Sequence, residues 1–102
     1  MTVQELKALR DAGGPHFLLD VREPSEHAIC HIDGAVLIPL GQLQSRVDEL
    51  PKGQQIVVHC KMGGRSAKAV AFLQQAGFTK VHNLTGGVTA WAERIDPKMP
   101  KY

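Results

Sequence analysis

Between Gln55 and Gly77 an apolar β-branched run, a glycine-bearing loop and a helical pattern follow one another without a break, and this sequence of patterns limits the folds open to the chain. Ile56 to Val58, bounded upstream by Pro51-Lys-Gly53, reads as a short buried strand. From Ser66 to Ala76 the residues are Ala, Val, Phe and Leu interleaved with Lys68, Gln74 and Gln75, a helix closed by Gly77. The loop between them is Cys60-Lys-Met-Gly-Gly-Arg65. A strand, a glycine-bearing loop and a helix in that order aim several backbone N–H groups and the positive end of a helix at one point. The thiol of Cys60 belongs at that point.

Strand and helix signals alternate along the rest of the chain. Thr2 and Glu5 have capping-box spacing ahead of a helical face of Val3, Leu6 and Leu9, and Gly13-Gly14-Pro15 stops that helix. Phe17–Val21 reads as a first buried strand, in which Asp20 is the odd polar residue. Arg22–Ala28 reads as a loop, with room for one helical turn begun by Pro24 or Ser25. Ala35–Ile38 reads as a second strand stopped by Pro39, and Leu43, Val47 and Leu50 place one amphipathic helix over 41–50, closed by Pro51. Lys80–Leu84 reads as a fourth strand, Thr85-Gly-Gly87 as a turn, and Val88–Arg94 as a last helix carrying Trp91. The segment Asp96–Tyr102, with two prolines, reads as an extended surface tail.

Strands that are apolar throughout and alternate with helices imply an α/β fold: a three-layer α/β/α arrangement around a short, mostly parallel sheet. Such sheets bind ligands outside the carboxyl ends of their strands. Asp20 with Arg22, Cys60, and Thr85-Gly-Gly87 all fall on that edge. With 102 residues the chain reads as a single domain spanning 1–102.

Composition excludes more than it asserts. A net charge of +2 is too weak to argue for nucleic acid, and the five aromatic residues form no stacking platform. No apolar run approaches membrane-spanning length, and Met-Thr-Val-Gln-Glu-Leu-Lys lacks the apolar core of a signal peptide. Cys30 and Cys60 have neither CxxC nor zinc spacing, so neither a metal nor another cofactor is expected. A cytoplasmic, reducing setting with both thiols free is expected rather than a disulfide between them.

A cysteine at a strand end is usually a small buried hydrophobe, a Gly-Gly pair usually a turn, and lysine or arginine usually a solvated charge. Together in one strand–loop–helix frame they point to a reactive thiol. Only the thiolate is nucleophilic, and the helix end, the loop amides and the cations Lys61 and Arg65 all favour it. Gly63 and Gly64, after Met62, let successive N–H groups converge on an anionic sulfur.

Cys60-Lys-Met-Gly-Gly-Arg65-Ser66 resembles the active-site loop of rhodanese-type sulfurtransferases. Asp20-Val-Arg-Glu-Pro24, followed by His31-Ile-Asp-Gly-Ala35 and Ile38-Pro39-Leu40, is similar to the N-terminal signature of that family, and Thr85-Gly-Gly-Val-Thr-Ala-Trp91 to its C-terminal one. The resemblance runs from about Val3 to Glu93; its one departure is Cys30, where the family usually has glycine before His-Ile.

The resemblance implies a Cys60 persulfide loaded from thiosulfate or another persulfide and unloaded onto a thiophilic acceptor. It also implies that Lys61, Met62, Gly63, Gly64, Arg65 and Ser66 hold the donor and the persulfide. Asp20 and Arg22 are expected to brace the loop, His59 to face away from Cys60, His31 to make a hydrogen bond within its turn, and Trp91 to pack in the core. Cys30 is expected to be a small buried residue in place of glycine rather than a thiol that resolves the persulfide to a disulfide. Phosphatases and arsenate reductases of similar fold place five residues between cysteine and arginine, whereas four separate Cys60 from Arg65, a cradle better matched to a persulfide than to a tetrahedral oxyanion. A third reading is a relay module that takes sulfur from a protein persulfide donor and hands it to a partner. The loop resembles those of rhodanese domains attached to enzymes that activate ubiquitin-like sulfur carriers.

Overall fold

The computed structural model describes all 102 residues. Helix α1 spans Val3–Asp11 and begins with the expected capping box: Thr2 Oγ1 accepts from Glu5 N at 3.1 Å, and Glu5 Oε1 accepts from Thr2 N at 2.9 Å. Strand β1 is Phe17–Asp20, β2 is only Val36–Leu37, β3 is Ile56–His59 and β4 is Val81–Asn83. All four are parallel, in the order β2-β1-β3-β4, with Asp20 opposite both Leu37 and His59 and with Val58 opposite Asn83. The chain leaves β1 to one side for β2 and returns across it to β3. The switch point of the sheet therefore lies between the carboxyl ends of β1 and β3, where Arg22 and Cys60 follow.

Two expectations are corrected. The segment after β1 is not a loop with one turn but a helix, α2, over Pro24–Ile29; Pro24 stands in its first turn, and Glu26 Oε1 accepts from Glu23 N at 3.0 Å. None of its residues is buried, which is why no apolar period marks it. The amphipathic helix over 41–50 is instead three short pieces: a 3₁₀ turn Leu40–Gln42, one α-turn Leu43–Arg46 (α3), and a second 3₁₀ turn Val47–Glu49. The spacing of Leu43 and Leu50 is satisfied, since both are buried, but the backbone tightens on either side of α3. Helix α4 covers Gly64–Gln75, starting two residues earlier than expected, and α5 covers Gly87–Arg94.

The core has two parts, one on each face of the sheet. Leu19, Ile56, Val58 and Val81 pack with Leu43, Leu50, Ala69, Leu73 and Phe78 on the α3–α4 side. Leu18 and Val57 pack with Val3, Leu6, Val88, Trp91 and Ala92 on the α1–α5 side. Consecutive strand residues thus serve opposite layers, and the α/β/α architecture follows.

Candidate functional site

Cys60 leaves the end of β3 and its side chain enters the α4 side of the sheet, only 2% exposed. The burial is not apolar isolation. Gly63 N donates to Cys60 Sγ at 3.1 Å, and Ser66 Oγ lies 3.3 Å from the sulfur. Gly63 has φ +125°, a region that side-chain-bearing residues rarely adopt, and it caps α4 while turning its N–H onto the thiol. Burial is the largest single influence on Cys60 and pushes its pKa up. The Ser66 hydroxyl together with the amides of Ser66, Gly63 and Met62 outweighs it, so the thiol ionises below its ordinary value.

The loop is held from below by α5. Val88 N donates to the Cys60 carbonyl at 3.1 Å and Thr89 N to the Lys61 carbonyl at 3.0 Å. Two of the orphan donors at the start of α5 are thereby satisfied by the two peptide groups that lead into the loop. This is the structural content of Thr85-Gly-Gly87.

The remaining residues of the loop differ in exposure and in partners. Met62 is 68% exposed at its tip. Lys61 Nζ lies 4.5 Å from the centroid of the Tyr102 ring. Arg65 does not project freely into the site: its guanidinium makes a two-bond pair with the Glu26 carboxylate, at 2.6 and 2.9 Å. Those bonds pull Glu26 down to about 2. The charge of Arg65 is therefore already matched by a residue of α2.

Asp20 and Arg22 form a fully buried ion pair beside the loop. Arg22 Nη2 meets Asp20 Oδ2 at 2.8 Å and Arg22 Nε meets Oδ1 at 2.9 Å; Nη2 also donates to the Cys30 carbonyl at 2.7 Å. His27 Nδ1 stands 2.8 Å from the same Asp20 Oδ2. Burial pushes Asp20 up, but the bonds from Arg22 and His27 hold it below the usual carboxylate range. Neither Asp20 nor Arg22 contacts Cys60 Sγ.

His59 is fully buried and points away from the thiol; its Nδ1 donates to the Cys60 carbonyl at 3.1 Å, while burial lowers its pKa and keeps the ring neutral. His31 Nδ1 bonds the His27 carbonyl at 3.0 Å, and its ring stacks on that of His27. Trp91 packs in the α1–α5 core. Cys30 is buried in that same core, on the opposite face of the sheet from Cys60, and both thiols are free.

Three participants escaped the sequence reading. Glu26 lay in a polar stretch with no period. The prolines place Tyr102 on an extended surface tail, whereas the tail folds back: Met99 is buried against α1 and α5, and Tyr102 Oη accepts from Arg22 at 2.9 Å and donates to Glu26 at 2.7 Å. Asn83, at the end of β4, bonds Ser66 Oγ at 2.6 Å and was marked only by being an amide at the end of an apolar strand.

Comparison with known proteins bears on the fold and family of the chain. The Rhodanese-like domain family matches residues 2–94. The chain is 42% identical to part of the probable adenylyltransferase/sulfurtransferase MoeZ of Mycobacterium tuberculosis, a match that takes in all of this chain and 26% of MoeZ. It is 41% identical to a sulfurtransferase of Allochromatium vinosum over 74% of this chain and 70% of that protein. Among solved structures, a rhodanese-related protein of Thermoplasma volcanium superimposes with a TM-score of 0.85 at 32% identity, covering 93% of this chain and 91% of that one. The human single-domain sulfurtransferase TSTD1 does so with a TM-score of 0.82 at 28% identity, covering 92% and 95%.

Proposed function

The chain belongs to the rhodanese-like domain family, and from that premise we propose that it moves sulfane sulfur from thiosulfate or a persulfide donor to a thiophilic acceptor by way of a persulfide on Cys60. The observation that carries the reading is the seat of the sulfur: a thiol that accepts a backbone N–H from Gly63 and faces the Ser66 hydroxyl, with its pKa lowered despite burial.

The Cys60 thiolate attacks the outer sulfur of thiosulfate; the S–S bond of the donor breaks, its electron pair leaves with sulfite, and the new S–S bond makes a Cys60 persulfide anion. A persulfide donor reacts in the same way and releases a thiolate. The terminal sulfur of the product carries the negative charge, and the loop amides stabilise it as they stabilise the thiolate. A nucleophile such as cyanide then takes that sulfur and returns Cys60 as thiolate, so the reaction runs as two half-reactions. No general base is required in this reading, because the sulfur attacks as the thiolate that the loop favours. In this reading Lys61, Met62, Gly64 and Arg65 border the donor, and Asp20 with Arg22 acts by bracing.

A second reading, a relay that is loaded by a protein persulfide, is favoured by two observations. The Arg65 charge is already neutralised by Glu26, which weakens the hold on a small dianion, and Met62 projects from the loop where a protein surface would meet it. MoeZ, of whose length this chain spans 26%, carries adenylyltransferase in its name as well as sulfurtransferase. One set of measurements separates the readings. Thiocyanate formation from thiosulfate and cyanide that disappears in Cys60→Ser supports turnover of small molecules. One extra sulfur atom on Cys60, seen by intact mass only after incubation with a protein persulfide donor, supports the relay. Sulfur transfer that survives in Cys60→Ser would overturn both.

A further inference from the structure

The Ser66 hydroxyl has a single proton and three acceptors around it. Its oxygen lies 2.6 Å from Asn83 Oδ1, 3.2 Å from the Gly63 carbonyl and 3.3 Å from Cys60 Sγ, and the residue is fully buried. The amide of Asn83 is oriented by its other end: Nδ2 donates to the Gly63 carbonyl at 3.4 Å, and turning the amide over would set one carbonyl oxygen against another. The shortest of the three contacts therefore takes the proton, and Ser66 donates to Asn83. With Cys60 as the neutral thiol this arrangement is complete, since S–H donates to Ser66 Oγ and O–H donates to Asn83. With Cys60 as the thiolate it is not. The sulfur keeps the Gly63 N–H but needs the Ser66 proton as well, and that proton is held by Asn83.

We propose that Asn83 is a positioning residue that acts on Cys60 through Ser66, drawing the hydroxyl proton away from the sulfur and so setting how much of the thiol is ionised. The amide competes for the hydroxyl proton that helps stabilise the thiolate, so it limits that help without abolishing it, and it yields the proton when charge builds up on the sulfur. The proposal rests on Cys60 being the reactive thiol, but it concerns the protonation of that sulfur and not the identity of any donor.

The test is the pH dependence of Cys60 alkylation by iodoacetamide, followed by intact mass and located by peptide mapping to separate it from Cys30. Asn83→Leu keeps the volume and removes the shortest acceptor, leaving the neutral Gly63 carbonyl and the sulfur, and a charged thiolate outcompetes the carbonyl for the Ser66 proton. The alkylation midpoint falls by about half a unit to one unit, which is about three- to tenfold more thiolate at a fixed pH below it. Asn83→Asp keeps the shape and strengthens the acceptor, and the midpoint rises. In a Ser66→Ala background the Asn83→Leu shift vanishes, because the hydroxyl through which it acts is gone; a general loosening of the loop would persist there. An unchanged or raised midpoint in Asn83→Leu, a lowered one in Asn83→Asp, or a Leu shift that survives Ser66→Ala would each overturn the proposal. Alkylation uses no sulfur donor, so a protein that titrates as described but transfers no sulfur would refute the proposed function and leave this inference standing.

Discussion

A methyl group at position 87 would stand 2.5 Å from the Lys61 carbonyl oxygen and 2.6 Å from that of Cys60, and Gly87 has φ +57° besides. Both obstacles are backbone, so no rotamer change relieves them. They also involve the two carbonyls that α5 holds through Val88 and Thr89. Gly87→Ala is expected to cost about 2–4 kcal/mol in urea unfolding, from left-handed strain plus displaced backbone, and to slow alkylation of Cys60 at neutral pH as the loop shifts. A cost under about 1 kcal/mol would mean that α5 and the loop slide apart easily, and that the contact is not what positions the thiol. At this scale the sequence was informative wherever the residue type itself carries the chemistry. Cys60, Gly63 and the Gly-Gly pair could be read because few residues do what they do. Asn83 and Glu26 could not, because an amide or a carboxylate acquires its role only from what tertiary structure sets beside it.

Helix α2 shows how an element that braces the candidate site can be almost silent in sequence. It buries no residue, so it has no apolar period, and its signals are Pro24 in the first turn and the Glu23–Glu26 exchange. Its contribution lies in what it presents. Glu26 takes both Arg65 bonds and one from Tyr102, tying α2 to the start of α4. Those bonds pull Glu26 down to about 2. A carboxyl with a depressed folded pKa binds fewer protons in the folded state than in the unfolded one. The stability it adds is therefore complete above about pH 5 and drains away as pH falls from the ordinary carboxylate value towards 2. The urea midpoint is expected to decline across that window, and Glu26→Gln to flatten the decline in part, since Asp20 and the exposed Glu5 and Glu49 are also held low and act in the same direction. An acid limb identical in wild type and Glu26→Gln would show that Arg65 is solvated in solution. On the proposed function the same variant also tests donor choice: with its charge unmatched, Arg65 is expected to hold thiosulfate better and to lower KM for thiosulfate.

Over the whole molecule, Arg22 is where separate parts of the chain meet. It bonds Asp20 on β1, the Cys30 carbonyl beyond α2, and Tyr102 from the tail, a residue 80 positions away. Apolar alternation revealed the two-sided sheet, because each strand residue is committed to one layer. The return of the tail has no such signal: Met99 and Tyr102 are two residues among prolines and lysines, and their partners lie on α1, α2, α5 and the Cys60 loop. Arg22 also fixes how the centre of the fold responds to mutation. Its guanidinium and the Asp20 carboxylate are both completely buried, so neither is screened by water. Asp20→Asn leaves a buried cation without its counter-charge and is expected to cost about 3–5 kcal/mol. Arg22→Met leaves the carboxylate with only His27 and the backbone N–H of residue 22, without its counter-charge, and is expected to cost a similar amount. The double variant removes both charges at once, so its loss should fall short of the sum of the singles by about 1–3 kcal/mol. Urea titration of the four proteins measures that difference. Strict additivity would mean that Cys30 and Tyr102 hold Arg22 without Asp20, and that the pair is a neighbourly contact rather than the joint on which β1, α2 and the tail depend.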